Sequence, residues 1–259
     1  MKLFSNSFKY LVNSIIVSLM VLPALVIANE GGFPLDPAPD RSNNMAALQN
    51  GAKLFVNYCL NCHSASAMRY SRLQDLGLTD GQIKSNLLLA SDKIGDLMKT
   101  NLSDKDAKAW FGVTPPDLSV IARAKSSGAG SGADWLYTYL RSYYKDDSRP
   151  TGWNNMVFPD VAMPHVLWEL QGIRSVKYED VEEHGKKSRV FSKFETIIPG
   201  KLSEAEYNSE VADLVAYLNW MSEPVQNTRK RLGVWVLLWL SVLSFLAWRL
   251  NSSYWKDVK

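Results

Sequence analysis

The chain has 259 residues, enough for one substantial domain or two small ones. A formal net charge of +3 is too weak to argue for nucleic acid as a partner, and no glycine-rich phosphate loop precedes a helix. Nine Trp and eleven Tyr suit a large flat cofactor or a membrane interface as well as ordinary core packing.

In chain order, Lys2 and Lys9 are followed by an apolar run from Leu11 to Val26, and Val26-Ile27-Ala28 has a small residue placed for signal peptidase. The sequence predicts a secretory signal peptide over residues 1–28, with an uncleaved N-terminal anchor as the other reading. Residues 31–40, rich in Pro and Gly, predict an extended arm. Asn43 or Asn44 can cap a helix running to about Tyr58, on which Gly51 either admits a second helix closely or is simply tolerated.

Next comes Cys59-Leu60-Asn61-Cys62-His63, which contains both cysteines of the chain. This spacing reads as a c-type haem attachment site. Each thiol can form a thioether to one haem vinyl group, and His63 can supply an axial nitrogen. A thioredoxin-like redox pair would want a βαβ context, and a zinc site a second pair of ligands, and neither is present. A plain disulfide is the remaining alternative.

Met68 to Leu76 looks helical, Thr79 to Met98 has short helical patches, and Asp104 to Trp110 is a short polar helix. In Thr114-Pro115-Pro116-Asp117-Leu118-Ser119 the prolines stiffen the chain and Asp117 or Ser119 can cap a helix over 120–125. That helix carries Arg123 and Lys125, cations able to pair with haem propionates. Residues 126–133 predict a flexible glycine-rich loop, Asp134 to Tyr144 a helix with Trp135 and Tyr139, and residues 145–164 an open loop carrying Met156 and Met163. Alternation between Leu167 and Phe194 suggests a short antiparallel hairpin with His184 at its tip. Ser203 with Glu206 opens a last soluble helix that ends at Glu223-Pro224.

Haem iron held by one His needs a second ligand or stays open to small molecules, and a Met thioether suits electron transfer. Met1 and Met20 leave with the signal peptide. Met45, Met98 and Met221 lie on helical stretches as packing residues, and Met68 follows the motif too closely to cross the haem plane. Met163, followed by Pro164 and so held extended, comes first, then Met156. His165 and His184 are weaker candidates, and an unligated site is the last.

Leu232 to Trp248 carries no charge, and with Leu250 it rises about 28 Å as a helix, close to the hydrocarbon thickness of a bilayer. The domain reading is a signal peptide over 1–28, an exported haem domain over 29–228, a membrane anchor over 229–251 and a cytoplasmic tail over 252–259. Export of the body, together with the lack of an Arg-rich presequence, favours a bacterial inner membrane with the haem domain on the periplasmic side.

With Pro115-Pro116-Asp117-Leu118-Ser119 before Arg123, Asn155-Met156-Val157-Phe158-Pro159 leading to Ala162-Met163-Pro164, Asp213-Leu214-Val215-Ala216-Tyr217-Leu218, and one membrane helix after Arg229-Lys230-Arg231, the chain resembles the cytochrome c1 family. The likeness covers nearly all of the mature chain. It implies a mainly α, class I cytochrome c-like haem domain with long loops and a single C-terminal transmembrane helix. Its first and last soluble helices would cross near Gly51, Phe55 and Tyr217. It further implies one covalently bound haem c held by Cys59 and Cys62, with His63 and Met163 as axial ligands and Pro115, Arg123 and Trp135 in contact. Lys125 stands where the family often has a second Arg, and Trp135 where it often has a haem-contacting Tyr.

The partners so implied are cytochrome b, the Rieske iron–sulfur protein and a soluble cytochrome c or equivalent acceptor. The chain would be an electron-transfer subunit of a quinol–cytochrome c oxidoreductase, not catalytic alone. Alternatives are an anchored cytochrome acting outside that complex, a haem-based gas sensor, and a thiol–disulfide oxidoreductase.

Overall fold

The computed structural model describes residues 32–183 and 186–256. The expected signal peptide, His184 and the last three residues of the expected tail lie outside the described residues. The described chain is mainly helical and divides into two compact groups of residues.

One group comprises residues 40–109, 114–121 and the chain from 212 onward. Helix α1 (Met45–Leu54) starts at Asn44, whose side chain accepts from the Ala47 amide, and it presents Leu48, Gly51 and Leu54 to the interior. It does not continue as an α-helix to Tyr58. Residues Phe55–Cys59 form a π-helical turn in which the Leu60 amide reaches back to the Phe55 carbonyl at 3.0 Å. Such turns are rare and recur at functional sites.

Of the expected helix over 68–76 only Tyr70–Leu76 is helical, and as a 3-10 segment. Strand β1 (Ala65–Arg69) pairs antiparallel with β2 (Leu97–Met98), and a 3-10 segment follows over Tyr70–Leu76. The cause lies outside the segment. The amides of Ser66 and Ala67, just before it, are taken by the side chains of Asp117 and Ser119 at 2.8 and 2.9 Å, which holds β1 extended, and the Tyr70 and Ser71 amides go to the Asp96 and Ile94 carbonyls at 3.2 and 2.6 Å. Met98 is therefore on a strand rather than a helix. It is buried as expected of a packing residue, as is Met221, whereas Met45 is exposed. Helices α2 (Asp80–Asn86), capped by Thr79 and Gln82, and α3 (Asp104–Phe111) complete this stretch.

Helix α7 (Glu204–Ser222) opens on the expected Ser203–Glu206 pair, the Ser203 amide meeting Glu206 Oε2 at 2.9 Å. Its part from Ala212 onward packs on α1. A Cβ added to Gly51 would stand 2.1 Å from the Asp213 carbonyl oxygen and 2.6 Å from Tyr217 Cβ. Gly51 is thus a point of close approach, not of mere tolerance. Phe55 and Tyr217 meet there with ring centroids 5.5 Å apart, and each is fully buried. Burying a side chain of that size contributes about 1.5–3 kcal/mol. Asp213 fixes the register by pairing with Arg41 and accepting from Asn50 at 2.9 Å.

Three residues after α7 the chain enters α8 (Gln226–Tyr254), 29 residues long and rising about 43 Å. It runs past the expected 229–251 span at both ends. Its most apolar stretch has a mean hydropathy of 1.7 with no residue covered, so it is long and apolar enough to cross a membrane.

The other group comprises residues 32–39, 110–113 and 122–211. The extended arm lies along helix α5 (Gly132–Arg141): the Asp36 amide meets Thr138 Oγ1 at 2.8 Å, the Ala38 amide meets Asp134 at 2.7 Å, and Arg141 pairs with Asp36 at 2.8 Å. The short helix α4 (Ile121–Ala124) is briefer than the expected 120–125. The glycine-rich stretch is not simply a loop. Ser131 caps α5 two residues earlier than expected, and a Cβ on Gly132 would lie 1.7 Å from the Ala122 carbonyl oxygen.

Helix α5 also ends early. Tyr143–Lys145, the end of the expected helix and the first residue after it, form strand β3, antiparallel to β4 (Trp153–Asn155) inside what reads as an open loop. Three residues are too few for alternation to register in the sequence. After the single turn α6 (Trp168–Gln171), the expected hairpin is present and longer than foreseen. It is formed by β5 (Gly172–Glu183) and β6 (Lys186–Pro199), with Val176 opposite Phe194 and Tyr178 opposite Phe191.

Candidate haem site

The π-helical turn places the first thiol at its last residue. The His63 and Cys62 amides both return to the Cys59 carbonyl, at 2.8 and 3.1 Å, so the five residues of the motif close into one tight turn. The two thiols are free and not joined to each other. Burial pushes the Cys59 thiol up to about 12, with Cys62 adding to the effect, and burial raises Cys62 as well.

The His63 ring is buried, and its Nδ1 lies 2.8 Å from the Pro116 carbonyl oxygen. A carbonyl can only accept, so Nδ1 carries the proton. Nε2 then keeps its lone pair and has no hydrogen bond among the described residues. Burial lowers the His63 pKa, against a smaller opposing effect of the Pro116 bond. A buried neutral imidazole with Nε2 free has the chemistry of an axial iron ligand, oriented by its second nitrogen.

Several bonds hold this loop. The Leu118 amide meets the Ser64 carbonyl at 2.8 Å, and Thr100 Oγ1 meets the Asn61 carbonyl at 2.7 Å. Asp117 and Ser119 turn back onto the amides of β1, so their task goes beyond the capping that the sequence suggests. Pro115 and Cys62 line a common cavity of about 200 Å³ with Ser64, Thr100 and Asp117.

Burial pushes the Asp117 carboxyl up, but bonds from Ser119 and Ser66 outweigh this and leave it below its ordinary 3.8. A depressed carboxylate stabilises the fold above its unfolded pKa, and that stability is lost as pH falls through the folded value. Asp117→Asn should therefore lower the melting temperature near pH 7 by on the order of a few degrees. The gap to the parent should begin to close as pH falls below about 4 and vanish only once the folded carboxyl, which titrates below 3.8, is protonated as well. Melting curves from pH 7 to 3 check this, and a gap independent of pH would refute it.

Met163 belongs to the other group of residues, with Arg123 and Trp135. Its half-buried side chain accepts a hydrogen bond at Sδ from the Tyr139 hydroxyl at 3.4 Å. Tyr139 and Tyr143 hydroxyls lie 2.5 Å apart, and burial pushes Tyr139 up to about 12, so it stays a donor. Trp135 stacks on Tyr139 with centroids 4.7 Å apart, while Lys125 Nζ sits 4.2 Å above the Trp135 ring. Lys125 and Trp135 thus satisfy each other.

Arg123 is exposed. His165, buried between Tyr143 and Trp153, is held neutral, its pKa lowered to about 3 chiefly by burial. Met156 gives its amide to the Ser142 carbonyl at 3.2 Å.

The Pro116 carbonyl and the pair Tyr139 and Tyr143 escaped the sequence reading. Only the four-residue spacing of the tyrosines hinted at a shared helical face. The helix in fact stops between them.

A family model described as the Cytochrome C1 family matches residues 39–189 and 202–258. The unmatched residues 190–201 include most of β6. Cytochrome c1 of Allochromatium vinosum is 43% identical over 241 residues, covering 93% of this chain and 96% of that protein. A Nitrosomonas europaea protein named ammonia monooxygenase gamma subunit is 44% identical over 242 residues, again 93% and 96% of the two chains. Cytochrome c1 of Rhodospirillum rubrum is 27% identical over 90% of this chain and 91% of its own length. The match along most of the sequence, together with the motif it contains, shows that the chain belongs to the cytochrome C1 family.

Proposed function

We propose that this chain is the haem-bearing subunit of a quinol–cytochrome c oxidoreductase. It receives electrons from a Rieske iron–sulfur protein and passes them to a soluble cytochrome c or equivalent acceptor. Cytochrome b is its other core partner. The chain performs no bond chemistry alone. It is held in a bacterial inner membrane by residues 229–251, with the haem domain on the periplasmic side.

The observation that carries this reading is the neutral His63 ring, fixed through Nδ1 on Pro116 directly after two free thiols. Bound there, one haem c supplies a one-electron carrier. Cys59 and Cys62 would attach it by thioethers, and His63 Nε2 and Met163 Sδ would hold its iron. Pro115 packs beside the Cys62 attachment point, and Arg123 and Trp135 serve the propionate side. The membrane-extracted protein should show a low-spin c-type spectrum, and the Cys59–His63 peptide should gain the mass of one haem. Cytochrome b should co-purify with it. An intact, active complex in a deletion strain would sink the assignment.

A second reading draws on the name of the Nitrosomonas relative. An anchored cytochrome of this kind could feed a membrane monooxygenase instead. Co-purification with a monooxygenase and not with cytochrome b would favour it.

A further inference from the structure

Tyr139 and Tyr143 each carry one hydroxyl proton, and both residues are buried, at 8% and 1% exposure. Buried hydroxyl protons need acceptors. Three are within reach: the partner hydroxyl at 2.5 Å, Met163 Sδ at 3.4 Å from Tyr139, and the Met163 carbonyl oxygen at 3.4 Å from Tyr143.

Two proton orders are possible. If Tyr139 donates to Tyr143, the second proton is left with a carbonyl oxygen well beyond the usual O–H···O range of about 2.5–3.0 Å. If Tyr143 donates to Tyr139, the second proton goes to the sulfur, a larger atom for which 3.4 Å is an ordinary contact. The second order satisfies both protons with good lengths.

Ring contacts hold both phenols in place. Trp135 stacks on Tyr139 at 4.7 Å and 14°, and His165 on Tyr143 at 4.7 Å and 6°.

We propose that Tyr139 is a positioning residue that donates its hydroxyl proton to the Met163 sulfur, with Tyr143 setting the direction of the bond. This rests on the reading of Met163 as an axial ligand. A thioether sulfur has two lone pairs. One can face iron while the other accepts from Tyr139, which fixes the side-chain rotamer. The bond also draws electron density from the sulfur, making it a poorer donor to ferric iron than it would otherwise be. The reduced state is favoured as a result.

The test uses the full-length, membrane-extracted protein and its Tyr139→Phe and Tyr143→Phe variants. The readouts are midpoint potential, the weak sulfur-to-iron band in the far red, and melting temperature. Tyr139→Phe should lower the reduced-to-oxidised ratio at fixed ambient potential by about three- to tenfold, tenfold being about 59 mV for one electron. Tyr143→Phe should melt about as early but move the ratio less than about twofold, since Tyr139 keeps its proton on sulfur. A purely structural role would lower both melting points and leave both potentials alone.

A larger shift for Tyr143→Phe than for Tyr139→Phe overturns the proposal, as does an unmoved midpoint in Tyr139→Phe. Should Tyr139→Phe fail to accumulate, Tyr139→Leu takes its place with the same expected fall, and an unmoved midpoint there, or a threefold or deeper fall in Tyr143→Phe, refutes the bond. Met163→Ala separates the two layers. If it removes the band while Tyr139→Phe moves nothing, only the hydrogen bond is wrong. If the band survives Met163→Ala, the ligand reading fails first.

Discussion

Met163→Ala should abolish the far-red band, leave the haem attached, and let the reduced protein bind carbon monoxide readily. The thioethers depend on Cys59 and Cys62 alone, so the haem mass on the Cys59–His63 peptide should not change. Alanine offers no donor atom, and the iron loses its sulfur. Axial ligands spread haem potentials over about 0.8 V, and replacing Met by water or nothing should lower the midpoint on the order of tenths of a volt. The sequence singles out Met163 by the extended backbone before Pro164. The structure adds that its sulfur is the one that Tyr139 addresses. Met98 also accepts a hydroxyl, from Tyr217 at 3.7 Å, but it is wholly buried in the core. Met156→Ala is the matched control and should keep the band. Loss of the band in Met156→Ala, with retention in Met163→Ala, would exchange the two assignments.

Gly51→Val should prevent accumulation of the haem-loaded protein. Even a single added carbon would meet the Asp213 carbonyl oxygen at 2.1 Å and Tyr217 Cβ at 2.6 Å. Neither obstacle is the free end of a flexible side chain, so α1 and α7 must separate. Separation breaks the Asn50–Asp213 bond and pulls apart the Phe55–Tyr217 ring pair. Overpacking commonly costs about 1–3 kcal/mol, and the lost contacts add to it. A fold stabilised by only about 5–15 kcal/mol has little room for that. The π-helical turn carrying Cys59 begins where this contact ends, so thiol placement should suffer with it. Gly81→Ala is the control: nothing lies within 4 Å of that position, and removing a helical glycine should be neutral or slightly stabilising. Haem-stained gels and melting curves read both variants. A Gly51→Ala protein that melts like the parent would defeat the packing argument.

How far the sequence could be read depends on the range of the forces involved. The Cys59–His63 motif, the Ser203–Glu206 cap and the charge-free run from Leu232 are short-range patterns. Covalent spacing, one turn of helix, or unbroken apolar character is enough to specify each. The same is true of the hairpin around Val176 and Phe194, where side chains alternate along the strand. Residues 68–76 came out only in part: Met68 and Arg69 end a strand, and the helical turn that follows is 3-10, its first amides going to the Asp96 and Ile94 carbonyls more than twenty positions away. The end of α5 failed likewise, since Tyr143 to Lys145 find their partners in Trp153 to Asn155.

Gly51 shows the division within a single residue. The sequence established that a side chain was missing; only the arrival of Asp213 and Tyr217 decided what the gap was for. The haem site divides in the same way. Residue types alone determined which thiols and which ring offer themselves. Tertiary structure decided that His63 keeps its proton on Nδ1, against Pro116, and that the Met163 sulfur receives a hydroxyl from Tyr139. A donor meets its acceptor through the packing of the fold, and the distance between them along the chain carries no record of it.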